Sequence, residues 1–139
     1  MSINELQDEV IEEFEALDDW TERYQLIAEY GKELKKHPMP EADKTQQNLI
    51  DGCQSPVWFT AKMEEGRMML NGDSDALLVK GIVGLLLHVL NNHTPQEIAT
   101  ADLYFIDRIG LREHLSPTRS NGVAAMLKQI KLYALAYSA

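Results

Sequence analysis

Residues 76–90 read ALLVKGIVGLLLHVL, fifteen positions in which only Lys80 and His88 are polar. A helix of this make-up is apolar on every side, so it must lie inside the molecule with other elements around it. The stretch 82–90, interrupted by Gly84 and His88, is far too short to cross a bilayer. Gly81 and Gly84 inside such a helix read as places where a neighbour packs closely, with no chemistry implied. Whatever fold the chain adopts has to be built around this buried segment.

The flanking segments carry helix and strand periods of their own. Ser2 and Glu5 form a capping box, followed by Ile3, Leu6, Val10, Phe14 and Leu17 at helical spacing. Asp18-Asp19 offers a second N-cap ahead of Trp20, Tyr24, Ile27, Tyr30 and Leu34, and the two helices are expected to pack as a hairpin. Pro38 and Pro40 end the second helix, because neither can continue it. Beyond residue 46 the period shortens to two: Val57, Phe59, Ala61 and Met63 alternate with Trp58, Thr60 and Lys62. Glu64-Glu65-Gly66 then supplies a turn into a second strand over 67–71. A third short strand is expected around 47–50. Gly72-Asp73-Ser74-Asp75 offers three caps for the buried helix. Further helices are expected from Thr94-Pro95, over 102–109 up to Gly110, and from Ser116-Pro117 along Val123, Met126, Leu127, Ile130, Ala134 and Tyr137. Helices, a strand group and helices again define an α+β fold. The small antiparallel sheet of about three strands is flanked by an N-terminal helix pair and C-terminal helices.

With 139 residues the chain fits one domain that buries roughly two thirds of its unfolded surface. The net charge of −9 is unevenly placed, since nine acidic residues precede the first basic one, Arg23. That leaves 13 acids against 13 Lys and Arg, so the excess belongs to one N-terminal segment, which is read as a solvated helix face. An acidic chain of this kind is not expected to bind nucleic acid, which calls for a basic surface. The first residues hold neither a basic n-region nor an apolar h-region, so no membrane association and a cytoplasmic location are expected.

Cys53 is the single cysteine, in Gly52-Cys53-Gln54-Ser55-Pro56 between apolar segments. A lone thiol forms no internal disulfide and has no cysteine partner for a metal. Its place between a glycine and a proline, where the chain turns, favours a working thiol over a packed one. Asn71, Asp73 and Asp75 imitate the opening of a calcium loop, but Ala76 stands where the glycine is required and Ile82 where the bidentate glutamate is required. His37, His88, His93 and His114 lack metal-ligand spacing, so no metal site is expected. A cysteine hydrolase would need one of these histidines beside Cys53. A cluster scaffold of the IscU type would need several cysteines. No phosphate-binding glycine motif occurs, and no cofactor is expected. Arg119, at the start of the last helix, opposes the helix dipole, which points to an anionic partner elsewhere.

Gly52-Cys53-Gln54-Ser55-Pro56-Val57-Trp58, Gly72-Asp73-Ser74-Asp75, Val79-Lys80-Gly81 and Leu115-Ser116-Pro117-Thr118-Arg119-Ser120-Asn121-Gly122 together resemble the SufE family of sulfur-acceptor proteins. Gln54-Ser55 is closer to SufE than to its paralogue CsdE. The resemblance runs from Trp20 to the C-terminal helix and implies a single SufE-like domain over 1–139 with a fold shared with IscU. It implies that Cys53 takes sulfane sulfur from a SufS-like, pyridoxal-phosphate cysteine desulfurase, stimulates that enzyme, and passes the sulfur on for iron–sulfur cluster assembly on scaffold proteins. By the same resemblance, Asp75 and Arg119 are associated with the active-site loop and the desulfurase encounter, and Gln54 belongs to the matching motif; on their own chemistry, Gly52 gives the loop freedom and small Ser55 limits its bulk. Homodimerisation is left open. The chemistry agrees with this role: transfer needs one nucleophilic thiol on a segment able to enter another protein's pocket, and no second cysteine to discharge the persulfide.

Overall fold

The structure, a computed structural model, describes residues 1–139 throughout. Six helices and one two-stranded sheet follow in the order α1 (Ile3–Glu15), α2 (Trp20–Lys32), β1 (Val57–Glu64), β2 (Arg67–Ser74), α3 (Leu77–Leu90), α4 (Pro95–Thr100), α5 (Phe105–Arg108) and α6 (Pro117–Ser138). Short 3-10 turns lie at Glu33–Lys36, Glu41–Asp43, Gln46–Asn48 and Arg112–His114. The architecture is α+β, as the period changes along the chain require. No helix is long and apolar enough to cross a membrane.

The apolar helix α3 is the centre of the core. It buries Val79, Ile82, Val83, Leu85, Leu86, Leu87, Val89 and Leu90, each contributing about 1.5–3 kcal/mol by leaving water. Its glycines set how closely α2 approaches. A side chain at Gly84 would run into the Tyr30 carbonyl, and one at Gly31 of α2 would stand 3.1 Å from the Gly81 Cα. The N-terminal helices, expected to pack as a hairpin, touch each other through Tyr30 and Glu13 but have their main packing elsewhere. Both lean on α3, and α2 has its main packing there, because the most apolar surface in the chain attracts both stripes. Gln7 of α1 is fully buried, with its amide donating to the Asp102 carbonyl at 3.0 Å and its oxygen accepting from Phe105 N–H at 3.1 Å. That pairing ties α1 to the segment entering α5.

Helix ends follow the expected chemistry at four places. The capping boxes Ser2–Glu5 and Thr94–Glu97 are both closed, Asp19 accepts from Glu22 N–H, and Ser116 accepts from Arg119 N–H. At α3 the expectation fails: its N-cap is Ala76, with no side-chain cap. Gly72, Asp73 and Ser74 continue β2 in full register with β1, Ser74 facing Val57 and Asp73 facing Trp58. The hairpin turn places Glu65 at φ 51° and Gly66 at φ 80°, the two left-handed residues of a type I′ connection.

The third strand also fails to form. Residues 46–48 make a 3-10 turn, and only Leu49 bridges to Trp58. Farther along that edge of β1, α6 covers the strand. Tyr133 donates to the Phe59 carbonyl at 3.2 Å and Tyr137 to the Ala61 carbonyl at 3.1 Å, so hydroxyls satisfy groups that a strand would otherwise pair. Tyr133→Phe is expected to lower stability by about 1 kcal/mol in urea unfolding, since its half-buried hydroxyl leaves an acceptor unmet. Tyr137→Phe, at a more exposed end, is expected to cost less than half as much. Equal stability of wild type and Tyr133→Phe would show that the edge is closed by other means.

Candidate functional site

Cys53 lies in the loop 51–56, whose two feet are fixed by different elements. At the first foot, Ile50 N–H donates to the Val57 carbonyl at 2.8 Å, closing the loop at its base. At the second, the buried Ser74 hydroxyl of β2 donates to the Pro56 carbonyl at 2.7 Å. Between them Gly52 adopts φ 90°, a left-handed conformation that favours glycine, and this turns the chain so that Cys53 faces α6. The Cys53 Sγ lies 3.7 Å from the Gly122 carbonyl, a long S–H···O contact. A side chain at Gly122 would stand 3.5 Å from that sulfur. The thiol is half-buried.

Burial pushes the Cys53 thiol up, with no offsetting cation or hydrogen-bond donor. In this resting position the side chain is a protonated thiol and a weak nucleophile at neutral pH. The alkylation rate of the folded chain is therefore expected to rise with pH along a curve whose midpoint lies above that of the same chain unfolded in urea. A folded midpoint at or below the unfolded one would mean that a cation or donor reaches the sulfur in solution.

Cys53 shares a groove of about 400 Å³ with Lys44, Gln46, Leu49, Gln54 and Trp58. The polar wall of this groove was not legible in the sequence. Lys44 Nζ lies 3.1 Å from Asp73 Oδ2 and 5.6 Å from the centre of the Trp58 ring. Asp73 Oδ1 accepts from Ser74 N–H at 2.8 Å and from Lys80 of α3 at 3.2 Å. Burial works to raise the Asp73 carboxyl, but the bonds from Ser74, Lys44 and Lys80 outweigh it and hold the group below the usual carboxylate range. The sequence presented Asp73 as one of three caps, and nothing around Lys44 distinguished it from a surface lysine.

Of the remaining expected residues, Gln54 and Ser55 line the groove, while no contact joins Asp75 or Arg119 to the loop. Gln54 is exposed at the loop tip, and Ser55 is half-buried beside the groove. Asp75 is exposed just after β2 and caps nothing; Ala76 N–H instead approaches the Ser74 hydroxyl at 3.4 Å. Arg119 is exposed on the first turn of α6, one turn before Gly122, and its guanidinium pairs with no group of this chain. None of the four histidines lines the groove. His93 is buried between the Leu90 and Met1 carbonyls, His114 stacks on Trp20 with centroids 3.7 Å apart, His88 meets the Tyr30 ring edge, and His37 is exposed. A histidine base for a cysteine hydrolase is thus not at hand in this arrangement. A larger cleft of about 640 Å³, walled by Glu9, Glu12, Glu13, Glu29 and Glu33, includes no residue of the cysteine loop. There Tyr30 donates to Glu13, and burial first, then that bond, push its phenol well up.

Comparison with known proteins adds ancestry to this geometry. Residues 8–134 match the SufE family, described as an Fe–S metabolism associated domain. A SufE-like protein of Synechocystis sp. is 41% identical over 128 residues, covering 92% of this chain and 79% of its own length. A SufE-like protein of Rhizobium meliloti is 38% identical over 129 residues, covering 89% and 91%. The solution structure of a hypothetical protein from Thermus thermophilus superposes with a TM-score of 0.78 at 25% identity, covering 95% of both chains. A family match across nearly the whole chain, joined by relatives of this identity, means that the chain belongs to the SufE family and has its role in Fe–S metabolism.

Proposed function

We propose that this single-domain protein is a sulfur acceptor: Cys53 takes persulfide sulfur from a SufS-like cysteine desulfurase and carries it toward iron–sulfur cluster assembly. The observation that carries this reading is the chain's one thiol, held on a two-footed surface loop beside an open groove. The donor is a persulfide on the desulfurase's own cysteine, formed by that enzyme's pyridoxal-phosphate chemistry. The Cys53 thiolate attacks the outer sulfur of the donor persulfide. A new S–S bond forms at Cys53, the donor's S–S bond breaks, and the donor cysteine leaves as a thiolate that takes up the proton lost by Cys53. No external oxidant or reductant enters, because one persulfide replaces another.

Burial disfavours the Cys53 thiolate at rest, so transfer requires the loop to leave Gly122 and the thiol to meet a cationic or hydrogen-bonding environment in the donor's pocket. Arg119, on the first turn of the helix that carries Gly122, has a guanidinium suited to the anionic sulfur or to the donor's surface. Gly52 supplies the turn, Gln54 and Ser55 line the groove beside Cys53, and Asp75 is an exposed carboxylate available to a donor. With no other cysteine in the chain, the acquired persulfide cannot collapse to an internal disulfide. Clearing the donor's persulfide also frees that enzyme for its next turnover, which accounts for stimulation. The test is intact-mass analysis after incubation with cysteine and a desulfurase. Gain of one sulfur atom, removed by reductant, supports the reading; an unchanged mass while the desulfurase turns over refutes it.

A further inference from the structure

Residues 41–50 form a strap with no strand and only short 3-10 turns, and this strap leads directly into the first foot of the Cys53 loop. Its internal bonds are local: Asn48 donates to the Asp43 carbonyl at 2.7 Å, and Lys44 reaches Glu41, whose side chain is 89% exposed. One ion pair joins the strap to the sheet, that between Lys44 and Asp73, and both side chains are largely shielded, at 19% and 15% exposure. Asp73 is prepared for it. Ser74 N–H and Lys80 occupy Oδ1, which leaves Oδ2 aimed at Lys44. The Lys44 ammonium lies 5.6 Å over the ring of Trp58, the strand partner of both Leu49 and Asp73, so Lys44, the ring and the loop base form one wall of the groove with Asp73 behind it.

We propose that the Lys44–Asp73 ion pair is a latch that keeps the Cys53 loop tucked, which makes Lys44 and Asp73 positioning residues for the thiol. Breaking the pair loosens the strap and the foot at Ile50, while the foot at Pro56 stays held by Ser74. The loop then swings on one fixed end, away from Gly122. The inference rests on Cys53 being the reacting thiol only for its biological meaning; its physical content is the exposure of that sulfur.

The test is the rate of Cys53 alkylation by iodoacetamide on the folded full-length chain at fixed pH, read by intact mass. Lys44→Met keeps an unbranched stem and removes the charge; it is expected to raise the rate roughly three- to tenfold, the worth of a largely shielded ion pair with a cation–π contact. Lys44→Arg is expected to stay near the wild-type rate. Asp73→Asn is expected to act in the same direction as Lys44→Met, and the double variant to be no faster than the faster single one, as for two ends of one interaction. An unchanged rate in Lys44→Met overturns the latch. So does an equal rise in Lys44→Arg, or a rise matched by the same fold-change in the unfolding equilibrium constant measured in urea, which would report global opening. Because alkylation needs no sulfur donor, faster labelling in a chain that takes up no sulfur would keep the latch and remove the proposed function. Sulfur uptake with labelling indifferent to Lys44 would do the reverse.

Discussion

Gly84→Ala is expected to destabilise the protein by roughly 3 kcal/mol or more, although alanine is the better helix former. On propensity alone the substitution would stabilise α3 by about 1 kcal/mol. Against that gain stands the backbone of α2. The added methyl would overlap the Tyr30 carbonyl and lie 3.0 Å from Gly31 N, and both of these are main-chain atoms inside a helix that cannot rotate away. Separating α2 from α3 enough to admit the methyl would loosen contacts along the most heavily packed helix pair of the fold, at the buried Ile27, Tyr30, Ile82 and Leu85. For a chain of this size, a loss of about 3 kcal/mol corresponds to a fall in Tm on the order of 10 °C. Thermal or urea unfolding reads the effect directly. Stability within about 1 kcal/mol of wild type would mean that α2 and α3 stand farther apart than described.

Cys53→Ser is expected to abolish sulfur acceptance completely and to leave stability within about 0.5 kcal/mol of wild type. The two halves of this expectation have separate causes. Transfer ends because a hydroxyl is not a thiolate at neutral pH and forms no persulfide, and the chain has no second cysteine to take over. Folding persists because the sulfur is half-buried, its single polar contact is the long one to Gly122, and the loop is held by Ile50, Val57, Pro56 and Ser74 through other atoms. The measurement is the mass gained with cysteine and a desulfurase, together with the urea midpoint. Stimulation of the desulfurase is expected to vanish with the uptake. A serine variant that still gained reductant-labile sulfur would sink the assignment, and one that unfolded would return Cys53 to a packing role.

Much of the scaffold was written in local pattern. The boxes at Ser2 and Thr94, the cap at Asp19 and the glycine stop after α5 each depend on residues within a turn of one another, so their chemistry survives being read in isolation. The buried helix α3 was equally plain, because fifteen nearly all-apolar residues have no stable place at a surface. Where two segments compete for the same atoms, the pattern misled. Residues 47–50 lie where a third strand would complete the sheet, but α6 reaches the β1 edge with Tyr133 and Tyr137, and a helix eighty residues away leaves no signature in that segment. Likewise Asp73 and Ser74 look like caps until β1 arrives to pair with them.

The candidate site divides along the same line. Composition and order alone determined that the chain has one thiol, that it sits at a glycine-permitted turn beside a strand, and that the interior is organised around residues 76–90, because these follow from residue identity and near-neighbour spacing. Only the tertiary structure decided that the thiol rests against Gly122 of α6, that its loop stands on feet supplied by Val57 and Ser74, and that Lys44, Asp73 and Lys80 meet beside it. Those contacts join residues far apart in the chain. They exist because α3, unable to face water, draws the sheet and α2 onto itself, and the groove beside Cys53 takes its shape from what that packing brings together.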